Sequence, residues 1–251
     1  MDVDRQLSLA VSTVIFALRP HPISGRSVVS LPLVRRTREP FAERWALPGG
    51  WADPAEGLEQ TAARNLVETT GVRPGYLEQL YCFGAPERSP SGRVVSVVYW
   101  ALVAPEQTDA DREADNVRWF AADELPELAF DHNLIVEYAL WRLRNKLEYS
   151  QIAHALLGET FTLSELRQVH EAVLDRELDP ANFRRQMESS GALVATDERV
   201  VGGRHRPPRL YRYDSAAALV DHGPLTEHHG LARAGAPTIT PAGEDADHGL
   251  R

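Results

Sequence analysis

Apolar residues gather in four dense runs in the first half of the chain: Leu9 to Leu18, Val28 to Val34, Tyr76 to Gly84 and Val94 to Val103. Each is rich in β-branched and aromatic residues and is bounded by Pro, Gly or Ser, which predicts strands. Leu58 to Thr70 contains neither Pro nor Gly, and its Ala62, Leu66 and Thr70 recur at helical spacing. That pattern predicts a short helix with Gly71 as its stop. A longer amphipathic stretch runs from Asp131 to Tyr149, with Asp131 as the expected N-cap and Leu134, Tyr138, Trp141 and Leu143 as an apolar stripe. The stripe is expected in core or dimer packing. Together these elements predict a mixed sheet with helices on its faces, an α/β/α sandwich occupying residues 1–150.

Past residue 150 the pattern changes. Thr162-Leu163-Ser164-Glu165 carries a capping signal, and Leu166, Val169, Val173 and Leu174 supply a buried helical face. A second helix is announced by Asp179 as cap and Pro180 at its first position, and Gly191 ends it. Leu193-Val194-Ala195 and Leu210-Tyr211-Arg212-Tyr213 then predict two strands around a Gly-, Arg- and Pro-rich turn. Two helices followed by a hairpin predict a winged helix over 151–214. The remainder, 215–251, has no apolar period and is expected to be a disordered tail. Its His222, His228, His229 and His248 follow no metal-site spacing.

The sequence of 251 residues carries 27 basic and 36 acidic side chains, a net charge of −9, and one cysteine, Cys82. A lone Cys excludes an internal disulfide framework and any Cys-rich zinc site. No apolar run approaches a membrane span and the start lacks a signal-peptide pattern, so a cytoplasmic location and no membrane partner are expected. The acidity is uneven. Residues 160–213 hold 9 basic and 8 acidic side chains, against 16 and 22 before them and 2 and 6 after. Arg199, Arg204, Arg206, Arg209 and Arg212 fall within 14 residues that contain no acid. Such a wing suits DNA phosphates, and its Gly pair allows close backbone approach. The DNA-facing candidates are Thr162 and Ser164 at the start of the first helix, and Asn182, Arg184, Arg185 and Gln186 on the second. Arg204, His205, Arg206 and Arg209 on the wing complete the set.

The chemistry of the first half lies between Gly50 and Val72. On the predicted helix Arg64 and Glu68 share a face one turn apart. Side chains at 65, 68 and 69 converge, so three acids there would hold a divalent metal against a pyrophosphate. Asn65 and Thr69 leave Glu68 as the one acid. Magnesium binds through one or two carboxylates plus substrate phosphates, so Glu68 is a metal candidate only with nucleotide already bound, and no cofactor is required. Hydrolysis is expected to be weak or absent, because neither Asn nor Thr supplies an anionic ligand or a base near neutral pH. The segment resembles the Nudix box: Gly50, Glu56, Arg64, Leu66, Glu68, Gly71 and Val72 match its spacing, after a Trp45 to Gly50 run typical of that family. Asn65 and Thr69 are the departures. Backbone donors at Gly49 and Gly50, with Arg64 nearby, make the expected diphosphate site.

As a whole, the chain resembles the Nudix-related transcriptional regulators of NAD metabolism, the NrtR type. The resemblance covers about residues 8–213 and rests on the degenerate box, on Leu128 to His132, and above all on Phe161 to Leu166, Asn182 to Arg185 and Gly202 to Pro207. It implies a homodimeric repressor of NAD synthesis or salvage genes. Such a protein binds double-stranded operator DNA through winged helices and senses ADP-ribose or a related nucleotide. It also makes Arg36, Arg38, Arg44 and His132 candidate ligand residues. The competing reading is an active ADP-ribose pyrophosphatase with an accessory interaction domain. An RNA-binding regulator fits less well, because the second half shows no stacking aromatics on a sheet face.

Overall fold

The computed structural model describes residues 7–71, 74–104, 116–149, 152–199 and 208–214. The first half is built on a seven-stranded sheet. Strand β1 (Ser8–Pro20) lies at its centre, parallel to β6 (Val94–Leu102) on one side and antiparallel to β2 (Ser27–Arg35) on the other. Strand β5 (Tyr76–Phe83) follows β6 at one edge. Three short strands complete the sheet: β3 (Trp45–Ala46) and β7 (Val117–Ala121) pair with β2, and β4 (Gly49–Trp51) pairs with β1.

Because side chains alternate across a strand, the apolar runs serve both faces of the sheet. Val14, Phe16 and Leu18 of β1 and Val98, Trp100 and Leu102 of β6 enter one buried cluster. Val11, Ile15, Ala17, Val97, Tyr99 and Ala101 belong to the opposite face, under Ala62 and Leu66 of helix α1 (Leu58–Thr70). Gly71 ends α1 in the left-handed region at φ 71°, its N–H donating to Val67 O at 2.7 Å. Such a terminus favours glycine.

Helix α2 (His132–Tyr149) packs on the first face through Ile135, Val136, Ala139, Leu143 and Leu147. The expected stripe is therefore not the face packed in the core of the chain. Of its four members only Leu143 is buried; Leu134 and Trp141 are exposed, and Tyr138 is half-buried against Tyr81 and Phe83 of β5. Asp131 stands at the N-cap position as expected, its C=O accepting from Ile135 N–H at 3.1 Å, but its side chain is engaged elsewhere. Both Asp131 carboxylate oxygens accept from Arg88, at 2.7 and 3.0 Å, so the side chain ties the 84–93 loop to the helix start.

A 3-10 turn (Ile152–Leu156) leads to α3 (Leu163–Leu174) and α4 (Pro180–Ser189), followed by the antiparallel pair β8 (Leu193–Arg199) and β9 (Arg209–Tyr213). Phe161 adds a third strand position by exchanging two hydrogen bonds with Tyr211, of 2.8 and 2.9 Å. The buried cluster that begins in the sheet continues through Ile152, Leu156, Phe161, Leu166, Val169 and Phe183. Helix α3 packs against both β2 and α2, and Arg144 Nε donates to Val173 O at 3.1 Å.

Candidate functional site

Two adjoining depressions of ≈ 330 and ≈ 340 Å³ form one cleft over β4, the end of β2 and the start of α2. Arg36, Arg38, Ala46, Leu47 and Gly49 line both. Asn65, Glu68 and Thr69 of α1 close one end. Trp51, Arg88, Phe130 and His132 lie at the other, with Ser12 and Ser96, whose hydroxyls are 3.1 Å apart.

Gly49 and Gly50 are strand residues opposite Ser12 and Val11. A Cβ on Gly49 would stand 2.4 Å from Val11 O, so close strand packing accounts for glycine there. Gly50 is exposed above Asn65, whose Oδ1 is 4.0 Å from the point a Cβ would occupy.

Of the expected ligand arginines, Arg36 and Arg38 face the cleft. Arg36 lies 4.7 Å over the Phe130 ring and is half-buried, its Nε donating to Pro40 O at 2.8 Å. Phe130 has φ 56°, an unusual backbone state for a bulky residue, and this places its ring between Arg36 and Phe41. Arg44 and Arg64 depart from expectation, since neither lines the cleft. Arg44 pairs with Glu127 at 2.6 Å and lies over Phe41. Arg64 Nε lies 3.0 Å from Glu56 Oε1, and its Nη1 is 3.4 Å from Glu68. That hydrogen bond to Arg64 is the main reason the Glu56 carboxyl is held below its usual range. Arg64 therefore braces the loop against α1.

His132 closes the cleft at the first turn of α2. It is buried, and its Nδ1 accepts from Leu47 N–H at 2.9 Å, which fixes the neutral tautomer with its proton on Nε2. Desolvation lowers its pKa to about 4, with the Asp131 carboxylate opposing the shift and Arg88 and Arg36 adding to it.

In the box the side chains at 65, 68 and 69 do come together along one wall, and they do not fit a resident divalent cation. Thr69 donates its hydroxyl to Asn65 O at 2.7 Å, and the Glu68 carboxylate leans toward Arg64. Asn65 is buried with no partner for Nδ2. Among the described residues no group of three or more His, Cys, Asp or Glu is placed to hold a metal.

In the winged helix, Thr162 is corrected from a DNA-facing candidate to a cap. It is buried, its hydroxyl accepts from Glu165 N–H at 3.1 Å, and Glu165 Oε2 accepts from Thr162 N–H at 2.7 Å. Ser164, Asn182, Arg184, Arg185, Gln186 and Arg209 are all exposed. Asp179 caps α4 by accepting from Asn182 N–H, and Arg185 donates to the Asn182 side chain, so α4 presents a prepared polar edge. Arg204, His205 and Arg206 lie outside the described residues, as do Val72 and the tail histidines. A further depression, of ≈ 600 Å³, lies between Leu147 of α2 and Phe183 and Met187 of α4. It sets Glu177 and Asp179 against Arg176, a lining unsuited to a diphosphate.

Arg88, Asp131 and Phe130 were not marked as site residues by the sequence. Arg88 carries no periodic signal, and only its pairing with a residue 43 positions away reveals it. Phe130 and Asp131 stand in the segment that carried the family resemblance, and Asp131 was otherwise visible only as a helix cap.

A sequence profile of the NUDIX domain matches residues 11–139, and one of the NrtR DNA-binding winged helix domain matches residues 153–213. The chain is 35% identical over 186 residues to the ADPR responsive transcriptional repressor NtrR of Acinetobacter baylyi, covering 72% of this chain and 74% of that one. Over 111 residues, 44% of this chain and 66% of the other, it is 34% identical to an ADP-ribose pyrophosphatase of Methanocaldococcus jannaschii. The crystal structure of Shewanella oneidensis NrtR complexed with a 27mer DNA aligns at a TM-score of 0.72 and 35% identity, covering 84% of this chain and 95% of that one.

Proposed function

This chain belongs to the NrtR family, in which a Nudix domain precedes a DNA-binding winged helix, and from that premise we propose that it is an ADP-ribose-responsive transcriptional repressor. The observation that carries this is the union, in one chain, of a basic cleft whose box keeps one acid of three with a winged helix whose α4 edge is exposed and polar. The Nudix part senses; it does not hydrolyse at enzymatic rates. Its targets are genes of NAD synthesis or salvage, and it works on the cytoplasmic chromosome. No described helix is long and apolar enough to cross a membrane.

The route from ligand to DNA is short. A nucleotide in the cleft meets Arg36, Phe130 and His132 at the first turn of α2. That helix reaches α3 through packed apolar residues and through the Arg144 bond to Val173 O. Reordering the start of α2 shifts the reading helices off the duplex. Acting as a homodimer, the protein requires a palindromic operator with half-sites about one or two helical turns apart.

A gel shift with the DNA flanking its own gene and neighbouring NAD genes tests the reading. A specific shift that ADP-ribose relieves is expected. Failure to bind that DNA, together with magnesium-dependent release of AMP and ribose phosphate at enzymatic rates, would replace a repressor with a pyrophosphatase.

A further inference from the structure

Three acids in the box would hold a metal; here it offers an amide, a hydroxyl and one carboxylate, and the amide has the unexplained atom. Asn65 is buried, at 6% exposure, and lines the cleft beside Gly49, yet Nδ2 has no hydrogen-bond partner. Buried amides without partners are rare because an unmade bond leaves the full desolvation cost in place. Oδ1 is the atom on the Gly50 side, and a half-turn about the last side-chain torsion exchanges it with Nδ2, bringing the N–H pair toward Gly50 and the cleft and turning Oδ1 inward. A phosphate oxygen arriving there would then meet a donor instead of an acceptor.

Charge points the same way. Asn65 and Thr69 remove two negative charges from the wall, which is the change one divalent cation would have made. Glu68, the acid that remains, faces the Arg64 guanidinium. Arg36 and Arg38 line the same cleft, and Arg36 commits only Nε and one terminal nitrogen to backbone carbonyls. Guanidinium groups and an amide suit a diphosphate directly, whereas three carboxylates would repel it unless a cation stood between.

Resting on the reading of this cleft as an ADP-ribose sensor, we infer that the diphosphate is held without a divalent cation, the Asn65 side-chain amide donating to a phosphate oxygen from a position where a carboxylate would call for a metal. The box has exchanged an acceptor for a donor, and with it the need for metal.

The test is calorimetric titration of ADP-ribose into the full chain, once in EDTA and once in millimolar magnesium. Wild type is expected to bind with affinities within about threefold of each other in the two buffers. Asn65→Asp, of nearly the same shape but lacking the donor, should bind about tenfold or more weakly in EDTA and recover in magnesium, because the introduced carboxylate and Glu68 then form a metal pair. Asn65→Ala should weaken binding in both buffers without recovery. Operator binding without nucleotide reports that each variant is folded, and the wild-type comparison needs no variant. A wild type that binds only with magnesium, or an Asn65→Asp variant that binds normally in EDTA, overturns the inference. A wild type that shifts operator DNA but binds ADP-ribose in neither buffer overturns the sensor reading itself, and this inference with it.

Discussion

Protonating His132 costs the folded chain more than it costs a free imidazole. Its Nδ1 already accepts from Leu47, and burial holds the pKa at about 4, well below the ordinary 6.5. Between those values the unfolded chain takes up a proton that the folded chain refuses. Stability should therefore fall as pH drops from about 6.5 toward 4, with a slope of at most about 1.4 kcal/mol per pH unit from this group. His132→Asn keeps an acceptor near Nδ1 and removes the titration. Urea unfolding between pH 4 and 7 should show a flatter profile in the variant, and parallel profiles would refute the assignment.

Among the elements, α3 depends on its cap and α4 on its exposed edge. Thr162→Ala removes a reciprocal capping box and should destabilise the chain by about 1 kcal/mol, read as a lower urea midpoint with unchanged slope. Nucleotide affinity of the folded fraction should not change. Arg184→Ala and Arg185→Ala should do the reverse, weakening operator binding and flattening its dependence on log salt by about one unit for each phosphate no longer neutralised, with stability unaffected. The long strands and the helices α1, α3 and α4 were legible because each carries its own period or cap. Strands β3, β4 and β7, of two, three and five residues, were not, since partners distant in the chain define them. On α2 the large apolar residues Leu134, Tyr138 and Trp141 stand out in the sequence, yet they do not form the face buried in the core of the chain. The aliphatic residues beside them, Ile135, Val136 and Ala139, make that core face. The box was readable as a motif, but the commitment of Arg64 to Glu56 and the orphaned Asn65 amide were not, because both depend on what the folded loop leaves within reach.

For the molecule as a whole, sensing is a coupling free energy and must run both ways. If ADP-ribose weakens operator binding by some factor, saturating operator must weaken ADP-ribose binding by the same factor. Paired titrations, nucleotide into free protein and into the protein–operator complex, check this directly. Equal nucleotide affinities in the two would leave the cleft and the winged helix uncoupled. The expected boundary near residue 150 falls where a single buried cluster passes from the sheet through Ile152 and Phe161 to Phe183. A reader grafted from another regulator at that boundary would therefore meet an apolar seam cut for different side chains. Working chimeras should need α2, the 3-10 turn and the reader exchanged as one piece. In lineages descended from such a chain, new operators should arise by substitution along α4 and the wing more readily than by swapping whole domains.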